Sequence, residues 1–225
     1  MNRSVQPEIL DELPPDDPEA IRSRGDLRRL NRIMGNAGII ARGISSLPES
    51  PKRIVELGAG SGTLLFHALR SLPRPEQGGE IIFLDLVDLI SPEVKEQYST
   101  LGWNVCVKTG DVRDTMPDHA DLVFANLFLH HFPNEELAGL LARIRNCGSS
   151  FFCVEPRRSR TAYTAASLVG LIGCNRVTRH DAAVSVQAGF RDRELSELWG
   201  KDETRTIREE WAPPFSHFFL ASPNS

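Results

Sequence analysis

The chain has 225 residues, a length that predicts one substantial hydrophobic core. Its composition is 40% hydrophobic and 25% charged, which is typical of globular proteins and excludes a disordered or fibrous one. The formal net charge is -4, so the chain lacks the basic excess of most nucleic-acid-binding proteins, although a local basic patch stays compatible with this balance.

The sequence shows no apolar stretch of membrane-spanning length, and the polar residues 1–18 lack the core of a signal peptide. The four cysteines form no CxxC pair and have no histidine at metal-ligand spacing, so no metal site is predicted. Cys106, Cys153 and Cys174 have apolar neighbours and are expected to be buried free thiols. We therefore expect a reduced, cytoplasmic protein.

The first part of the chain divides in two. Residues 1–24 are rich in Pro, Asp and Glu and predict a loose arm. Residues 26–47 have the apolar spacing of an amphipathic helix, with a break near Gly35 or Gly38. The apolar positions at this spacing are Leu27, Leu30, Ile33, Met34, Ala37 and Ile40 or Ala41.

Strands and helices then alternate. The strands have no clean two-residue alternation, as expected for a parallel sheet covered on both faces. Ser91, followed by Pro92, and Asn134 are the expected caps of the second and third helices. The predicted strands are RIVELGAG, EIIFLDLV, NVCVKTGD, ADLVFANLF and SSFFCVEP, and the helices between them are SGTLLFHALRSL, SPEVKEQYSTLG and NEELAGLLARIRN.

The segment TIREEWAPPFSHFFLASP predicts two strands around a Pro-Pro turn, which suits an antiparallel hairpin at the sheet edge. The predicted fold is α/β: a Rossmann-like, doubly wound, mostly parallel sheet of seven strands. A C-terminal antiparallel β-hairpin completes it, and an N-terminal helical lid precedes it.

The strongest motif is Glu56-Leu57-Gly58-Ala59-Gly60-Ser61-Gly62, at a strand-to-helix junction. Glycines there allow a sharp turn and a close approach of the backbone to a ligand. Thr63 occupies the third glycine position of the dinucleotide-binding pattern, so a diphosphate-binding loop fits poorly. Glu56 is a carboxylate at an apolar strand end, which is costly without a partner and suits a cationic ligand or a ribose.

ELGAGSG resembles the first motif of class I S-adenosylmethionine-dependent methyltransferases, and the resemblance covers roughly residues 50–155. It implies that Asp85 holds the ribose, with Asp88 as the alternative, that Asp111 holds the adenine amino group, and that Val112 packs on the ring. Taken singly, Asp88 and Asp111 are also explained as a surface residue and a turn cap. The implied cofactor-binding residues are Glu56, Gly58, Ala59, Gly60, Gly62, Asp85, Asp88, Asp111, Val112, Asn126 and Leu127.

His130 and His131, in NLFLHHF, follow the fourth predicted strand. In open α/β sheets, ligands bind beyond the carboxyl ends of the strands, so one of these histidines could take a proton from a phenol or enol. The alternative is that a histidine here only packs against the fold or caps the next helix.

A polar block past the fifth strand is a candidate acceptor pocket. Arg158 and Arg179 could bind an acidic hydroxyl or carboxylate, and His180 is a third candidate base. The alternative is a plain helix start capped by Asp181. Met34, on the predicted lid, is expected to cover the acceptor.

ANLFLHHF, EPRRSR, GLIGCN, VTRHD and FSHFFLA together resemble small bacterial methyltransferases associated with type III polyketide and phenolic-lipid (alkylresorcinol or quinol) pathways. This resemblance implies an enzyme of secondary metabolism that methylates an aromatic hydroxyl or an activated ring carbon and releases S-adenosylhomocysteine. It divides the chain into an arm and lid helix (1–48) and a methyltransferase domain (49–225).

Other functions remain open from the residues alone. They are a non-catalytic S-adenosylmethionine-binding scaffold or regulator, a nucleotide-dependent oxidoreductase, and an RNA or protein methyltransferase. The last is disfavoured by the acidic balance and by the lack of an NPPY-type sequence at residues 126–129. The expected partner is a small aromatic molecule, without nucleic acid or a membrane span, and a homodimer through the N-terminal arm is compatible with the sequence.

Overall fold

The computed structural model describes residues 1–224, and a single sheet is the centre of the fold. Its strands are β1 (Arg53–Leu57), β2 (Gly79–Asp85), β3 (Trp103–Thr109), β4 (Ala120–Asn126), β5 (Gly148–Pro156), β6 (Arg205–Ala212) and β7 (Ser216–Pro223). They lie in the order β3-β2-β1-β4-β5-β7-β6. The first five strands are parallel, and β7 is antiparallel to both β5 and β6. The predicted seven-stranded fold with its C-terminal hairpin is confirmed.

Nine α-helices occur among the described residues. They are α1 (Ile9–Glu12), α2 (Pro18–Ile33), α3 (Asn36–Ser45), α4 (Thr63–Leu69), α5 (Pro92–Thr100), α6 (Asn134–Cys147), α7 (Arg160–Ser167), α8 (Arg176–Ala188) and α9 (Glu194–Trp199). No helix within residues 1–224 is long and apolar enough to cross a membrane.

Two hydrophobic clusters cover the two faces of the sheet. One joins α3, α4 and α5 to the sheet through residues such as Ile40 and Phe83. The other joins α6 and α9 to the opposite face through residues such as Leu141 and Trp199. Each fully buried side chain of this size contributes about 1.5–3 kcal/mol. The sheet therefore holds its strand ends, where the site lies, in a rigid position.

The N-terminal arm is more ordered than the sequence predicted. Helix α2 begins at Pro18, within the expected loose arm, because the Asp17 side chain accepts hydrogen bonds from the Glu19 and Ala20 amides. Ser23 is buried, and its hydroxyl lies 2.8 Å from that of Thr178 on α8. The prediction of a loose arm was wrong because Pro and Asp here begin a helix.

The predicted break of the N-terminal helix is confirmed at Gly35. This glycine has a φ of +70° and separates α2 from α3. Helix α3 then packs into the same core cluster as the sheet. Residues 36–45 therefore anchor the N-terminal segment to the main fold.

The expected helix caps are partly correct. Ser91 caps α5, with Pro92 at its first turn. Asn134 is the first residue of α6 and not its cap. Asp181 does not begin a helix, because α8 starts at Arg176 and its cap is Asn175. The two Asp181 carboxylate oxygens instead accept the Ile9 and Leu10 amides, at 2.9 and 3.0 Å, and hold α1 against α8.

We expect Asn175→Ala to lower the free energy of unfolding by about 1 kcal/mol, because the Thr178 amide loses its hydrogen-bond acceptor. Asn175→Ser retains a cap acceptor and, like the alanine variant, lacks the Nδ2 donor to Glu19 O, so it should be more stable than Asn175→Ala by roughly 1 kcal/mol. Urea denaturation of both variants measures this difference. Equal losses in the two variants would show that the cap does not stabilise α8.

The cysteines are all free thiols. Cys153 and Cys174 are buried as predicted, and Cys147 is also buried. Cys106 is only half-buried, contrary to the prediction, because it lies on β3 at the open edge of the sheet.

Candidate active site

A cavity of about 1110 Å³ lies at the carboxyl ends of the central strands. Its floor is lined by residues at the ends of three parallel strands, namely Gly58, Asp85 and Asn126. Leu30 and Met34, at the end of α2, line it from the N-terminal side. Ligand pockets usually measure roughly 300–1,000 Å³, so this cavity lies slightly above the usual range.

The glycine turn after β1 brings bare backbone to the cavity. Gly58, Gly60 and Gly62 have φ values of +64°, +52° and +67°, which favour glycine. A Cβ at Gly58 would lie 2.3 Å from the Phe128 ring, so only glycine fits there. A Cβ at Gly60 would meet nothing within 4 Å, and Gly60 lines the cavity, so this space is open to a ligand.

The structure separates the two ribose candidates. Asp85, at the end of β2, lines the cavity and accepts the Gly60 amide at 2.8 Å. Asp88 is not among the residues that line the cavity, and its carboxylate accepts the Ile90 amide at 2.9 Å. Asp85 is thus the aspartate that can meet a ligand.

Glu56 is a buried carboxylate with an unused oxygen. It is 3% exposed, it lines the cavity, and its Oε2 atom has no hydrogen-bond partner. Burial, and then the charge of Asp85, raise the pKa of Glu56 well above its usual value. An unpartnered buried carboxylate oxygen is costly, so a cationic ligand group at this point would stabilise it.

We expect Glu56→Gln to raise the Tm of the ligand-free protein at pH 8 by a few degrees. The pKa of Glu56 is raised in the folded state, so the folded chain keeps the Glu56 proton at pH values where the unfolded chain, with an ordinary pKa near 4.5, has released it. The free energy of unfolding therefore falls as the pH rises. Glutamine removes this loss, whereas Glu96→Gln, at an exposed glutamate, should leave the Tm unchanged. A lower Tm for Glu56→Gln across pH 5–8 would contradict the assignment.

The turn after β3 adds a second acidic position. Asp111 and Val112 both line the cavity, and Val112 is 5% exposed. The Asp111 carboxylate accepts hydrogen bonds from the Arg113 guanidinium, which lower its pKa. An adenine ring could pack on Val112, although Asp111 already has a cationic partner.

Hydrogen bonds between asparagine side chains connect the end of β4 to the N-terminal helices. Leu127 has a φ of +51°, a conformation that non-glycine residues rarely adopt and that is common at functional sites. The Asn36 amide donates to Asn31 Oδ1 at 2.7 Å and to Asn126 Oδ1 at 3.3 Å. Asn31, Asn126 and Leu127 line the cavity. This network fixes the N-terminal helices over the strand ends.

His130 is enclosed by two carboxylates. It is 2% exposed, and its Nδ1 and Nε2 atoms lie 2.8 Å from Glu155 Oε2 and 3.2 Å from Glu8 Oε1. Burial lowers the pKa of His130, but the hydrogen bonds that its ring donates to Glu155 and Glu8 outweigh it and raise the pKa to about 9. In this arrangement His130 is protonated near neutral pH and is a poor proton acceptor.

His131 is the more accessible histidine of the pair. It lines the cavity, its side chain is 26% exposed, and its Nδ1 atom lies 3.2 Å from Asp11 Oδ2. One ligand atom each from Glu8, His130 and His131 lie within 4.8 Å of one another, so these groups could hold a metal ion. His67 also lines the cavity, from α4.

The polar block past β5 does not face the cavity. Arg158 is 4% exposed and binds Gly189 O and Glu194. The His180 side chain is 46% exposed and bonds Asp181 at 2.8 Å. Neither these residues nor Arg179 line the cavity; α8 directs Ala182, Ser185 and Val186 to it instead. The sequence analysis expected an acceptor pocket near α8, and α8 does line the cavity, but with a different face of the helix.

Sequence reasoning missed several groups at the site. Glu8 and Asp11 lie in the segment that was expected to be a loose arm, and no periodicity marks them. Glu155 is fully buried and accepts the Phe128 and Leu129 amides as well as His130. A carboxylate at the end of an apolar strand, as for Glu56, was the available signal for Glu155.

A family model described as a methyltransferase domain matches residues 54–148. No curated protein matches the chain in sequence. This match covers less than half of the chain, so residues 54–148 are similar to a methyltransferase domain.

Solved structures share the fold over nearly the whole chain. A candidate O-methyltransferase from Nostoc punctiforme PCC 73102 has a TM-score of 0.64 at 14% identity, and the alignment covers 98% of this chain and 64% of that one. The plantazolicin methyltransferase BpumL, in complex with S-adenosylhomocysteine, has a TM-score of 0.66 at 14% identity over 93% and 92%. Human N-acetylserotonin methyltransferase, in complex with S-adenosylmethionine, has a TM-score of 0.58 at 17% identity over 96% and 61%. The chain thus spans under two thirds of the first and third of these proteins.

Proposed function

We propose that the protein transfers the methyl group of S-adenosylmethionine to a small aromatic acceptor, at a phenolic or quinol hydroxyl or an activated ring carbon. The observation that carries this proposal is a single cavity that the cofactor and the acceptor would share. Its strand-end side holds the unpartnered Glu56 carboxylate and Asp85, and its other side is apolar and holds His131. The structures of BpumL and of the human enzyme contain the cofactor or its product, which supports the same ligand here.

The cofactor would lie along the strand ends. Glu56 would hold its ammonium group, Asp85 its ribose hydroxyls, and Val112 its adenine ring. Asn126 and Leu127 would flank its methionine part, while Gly62 supports the turn. S-adenosylmethionine supplies a sulfonium-bound methyl group that a nucleophile displaces in line, so holding the two reactants in register is the main task of the chain. The backbone nearest the ligand would be Gly58, Ala59, Gly60, Asp111 and Val112.

The acceptor side of the cavity has an apolar lining that is larger than one aromatic ring would cover. Leu27, Leu30 and Met34 line it from α2, and Ala166 and Val169 from the α7 region. Two lining side chains on this side remain exposed, Leu171 at 82% and Ile33 at 59%. Such a patch favours an acceptor with an alkyl or aromatic extension. This supports the phenolic-lipid or polyketide class of substrate, and hence a role in secondary metabolism.

The proton of a phenol must leave before or during transfer, because its pKa is near 10. We assign its removal to His131, which lines the cavity and has Asp11 Oδ2 3.2 Å from its Nδ1 atom. His130 is held between carboxylates and would support this position. Residues 1–48 would serve as the lid, with α3 as its anchor, and residues 49–225 as the transferase domain.

The second candidate function is a scaffold that binds the cofactor without catalysis. The free cysteines suit the reducing cytoplasm proposed from the sequence, and both functions are compatible with it.

A panel of phenols with alkyl chains of increasing length tests the proposal. The purified chain is incubated with S-adenosylmethionine and each phenol, and mass spectrometry detects products heavier by one methylene. We expect turnover to rise with chain length, because longer chains cover the apolar mouth. Cofactor binding without any methylated product across phenols, quinols and ring-carbon acceptors would favour the scaffold.

A further inference from the structure

Two histidines and two carboxylates meet where the N-terminal segment crosses the cavity. Glu8 and Asp11 come from this segment, and His130 and His131 from the turn after β4. We refer to these four residues as the histidine–carboxylate cluster. All four line the cavity, so the cluster faces the space assigned to the acceptor.

The spacing of the cluster suits a metal ion. Glu8 Oε1 lies 3.2 Å from His130 Nε2, and a ligand atom of His131 lies within 4.8 Å of both. Ligands about 2.0–2.2 Å from a tetrahedral ion are roughly 3.4 Å apart, so small rotations of these side chains would complete the geometry. Two imidazoles with carboxylates form a donor set that first-row divalent ions favour.

The surroundings of His130 resemble those of a metal-binding histidine. Its Nδ1 atom lies 2.8 Å from the fully buried Glu155 carboxylate, which also accepts two backbone amides and is thereby fixed. A carboxylate on the far ring nitrogen orients most metal-bound histidines. The opposite atom, Nε2, then faces Glu8 and the cavity. This is the nitrogen that a metal ion would use.

Two carboxylates of low exposure lie against the His130 imidazole of the cluster. The side chains of Glu8 and Glu155 are 11% and 0% exposed, so two carboxylates share one buried imidazole. Arg3 lies nearby and adds a positive charge, and its guanidinium donates to the backbone oxygens Ala188 O and Phe132 O. Asp11, at 60% exposure, adds a further negative charge at the open edge. Buried carboxylates need compensating positive charge, and a bound metal ion would add to it.

We propose that the histidine–carboxylate cluster binds one divalent transition-metal ion such as Zn²⁺. Glu8, His130 and His131 are the direct protein ligands. Asp11 lies at the exposed edge as a fourth ligand that can be displaced. Catalytic zinc sites commonly combine three protein ligands with one exchangeable position, and this position would open into the cavity.

The consequence for catalysis rests on the proposed function. An acceptor hydroxyl that takes the exchangeable position would lose its proton to water more readily, as metal-bound water does. The phenolate oxygen then forms the bond to the methyl carbon, while the carbon–sulfur bond breaks and its electron pair goes to sulfur. In the metal-free protein, His131 accepts the proton instead.

Zinc binding to the purified, untagged full chain tests the proposal without any assay of activity. The chain is stripped with a chelator, dialysed and titrated with Zn²⁺ against a chromogenic indicator. We expect one ion per chain, and at least about 10-fold weaker binding in Glu8→Gln and Asp11→Asn. Glu12→Gln alters an exposed carboxylate on the same helix that does not line the cavity, and should bind as the wild type does. Co²⁺ in place of Zn²⁺ should give the visible absorption of a four-coordinate site in the wild type and in Glu12→Gln.

Calorimetry with S-adenosylhomocysteine on the same proteins keeps the two proposals separate. Circular dichroism reports whether each variant is folded, and the calorimetry reports whether the cofactor site works, irrespective of the metal. The metal proposal is overturned if no ion binds to folded wild-type chain, or if Glu8→Gln and Asp11→Asn bind it as tightly as Glu12→Gln does. Loss of nucleoside binding with zinc binding intact would count against the proposed function alone.

Discussion

Asp85→Ala should weaken binding of S-adenosylhomocysteine by about 100-fold or more. The Asp85 carboxylate lines the cavity at the end of β2, where it would accept hydrogen bonds from two ribose hydroxyls. A hydrogen bond to a charged group contributes about 1.5–3 kcal/mol, so the loss of two reaches about 3 kcal/mol even where they are not additive. The variant also loses the acceptor of the Gly60 amide, which loosens the glycine turn.

Asp88→Ala is the matched comparison for this experiment. Asp88 lies three residues further along the same segment, but it accepts the Ile90 amide and does not line the cavity. Isothermal titration calorimetry should give an affinity within a few-fold of the wild type. The reverse pattern, with binding lost in Asp88→Ala and retained in Asp85→Ala, would refute the assignment of the ribose site.

His131→Ala should lower kcat for a phenolic acceptor by about 10²–10⁴-fold, the usual contribution of general acid–base catalysis. His131 lines the cavity and is more exposed than the enclosed His130, so it is the histidine placed to receive the acceptor proton. Because it lies away from the Glu56 and Asp85 side of the cavity, we expect cofactor affinity to change little. Steady-state kinetics and calorimetry on the same preparation measure the two effects.

His180→Ala provides the control for His131→Ala. His180 is half-exposed and does not line the cavity, so kcat should stay close to the wild-type value. If His131→Ala turned over normally, or if His180→Ala were the inactive variant, the assignment of the proton acceptor would be wrong.

The mostly parallel sheet and the glycine turn after its first strand could be predicted because local signals indicate them. Glycine at Gly58 and Gly60 is required by backbone conformation and by close approach, and this requirement is visible in the sequence. Parallel strands then bring their carboxyl ends to one edge, so Asp85 and Asn126 reach the cavity without further information. A break at Gly35 was predictable for the same reason.

The acceptor side could not be predicted to the same depth, because it depends on which face of a helix turns inward. Helix α8 places Ser185 at the cavity and His180 away from it, and no local signal decides between the two. Glu8 and Asp11 reach the cavity through a long-range contact, in which Asp181 accepts the Ile9 and Leu10 amides. A Pro-rich, acidic segment gives no indication of such docking.

Direct titration of the wild-type chain with S-adenosylmethionine and S-adenosylhomocysteine, by isothermal titration calorimetry, tests the central claim most directly. We predict one binding site per chain with an affinity in the micromolar range or tighter for both compounds. The reason is that Glu56 Oε2 has no hydrogen-bond partner and that the space next to Gly60 is open. A folded chain that binds neither compound would contradict the assignment of this cavity to the methyl donor.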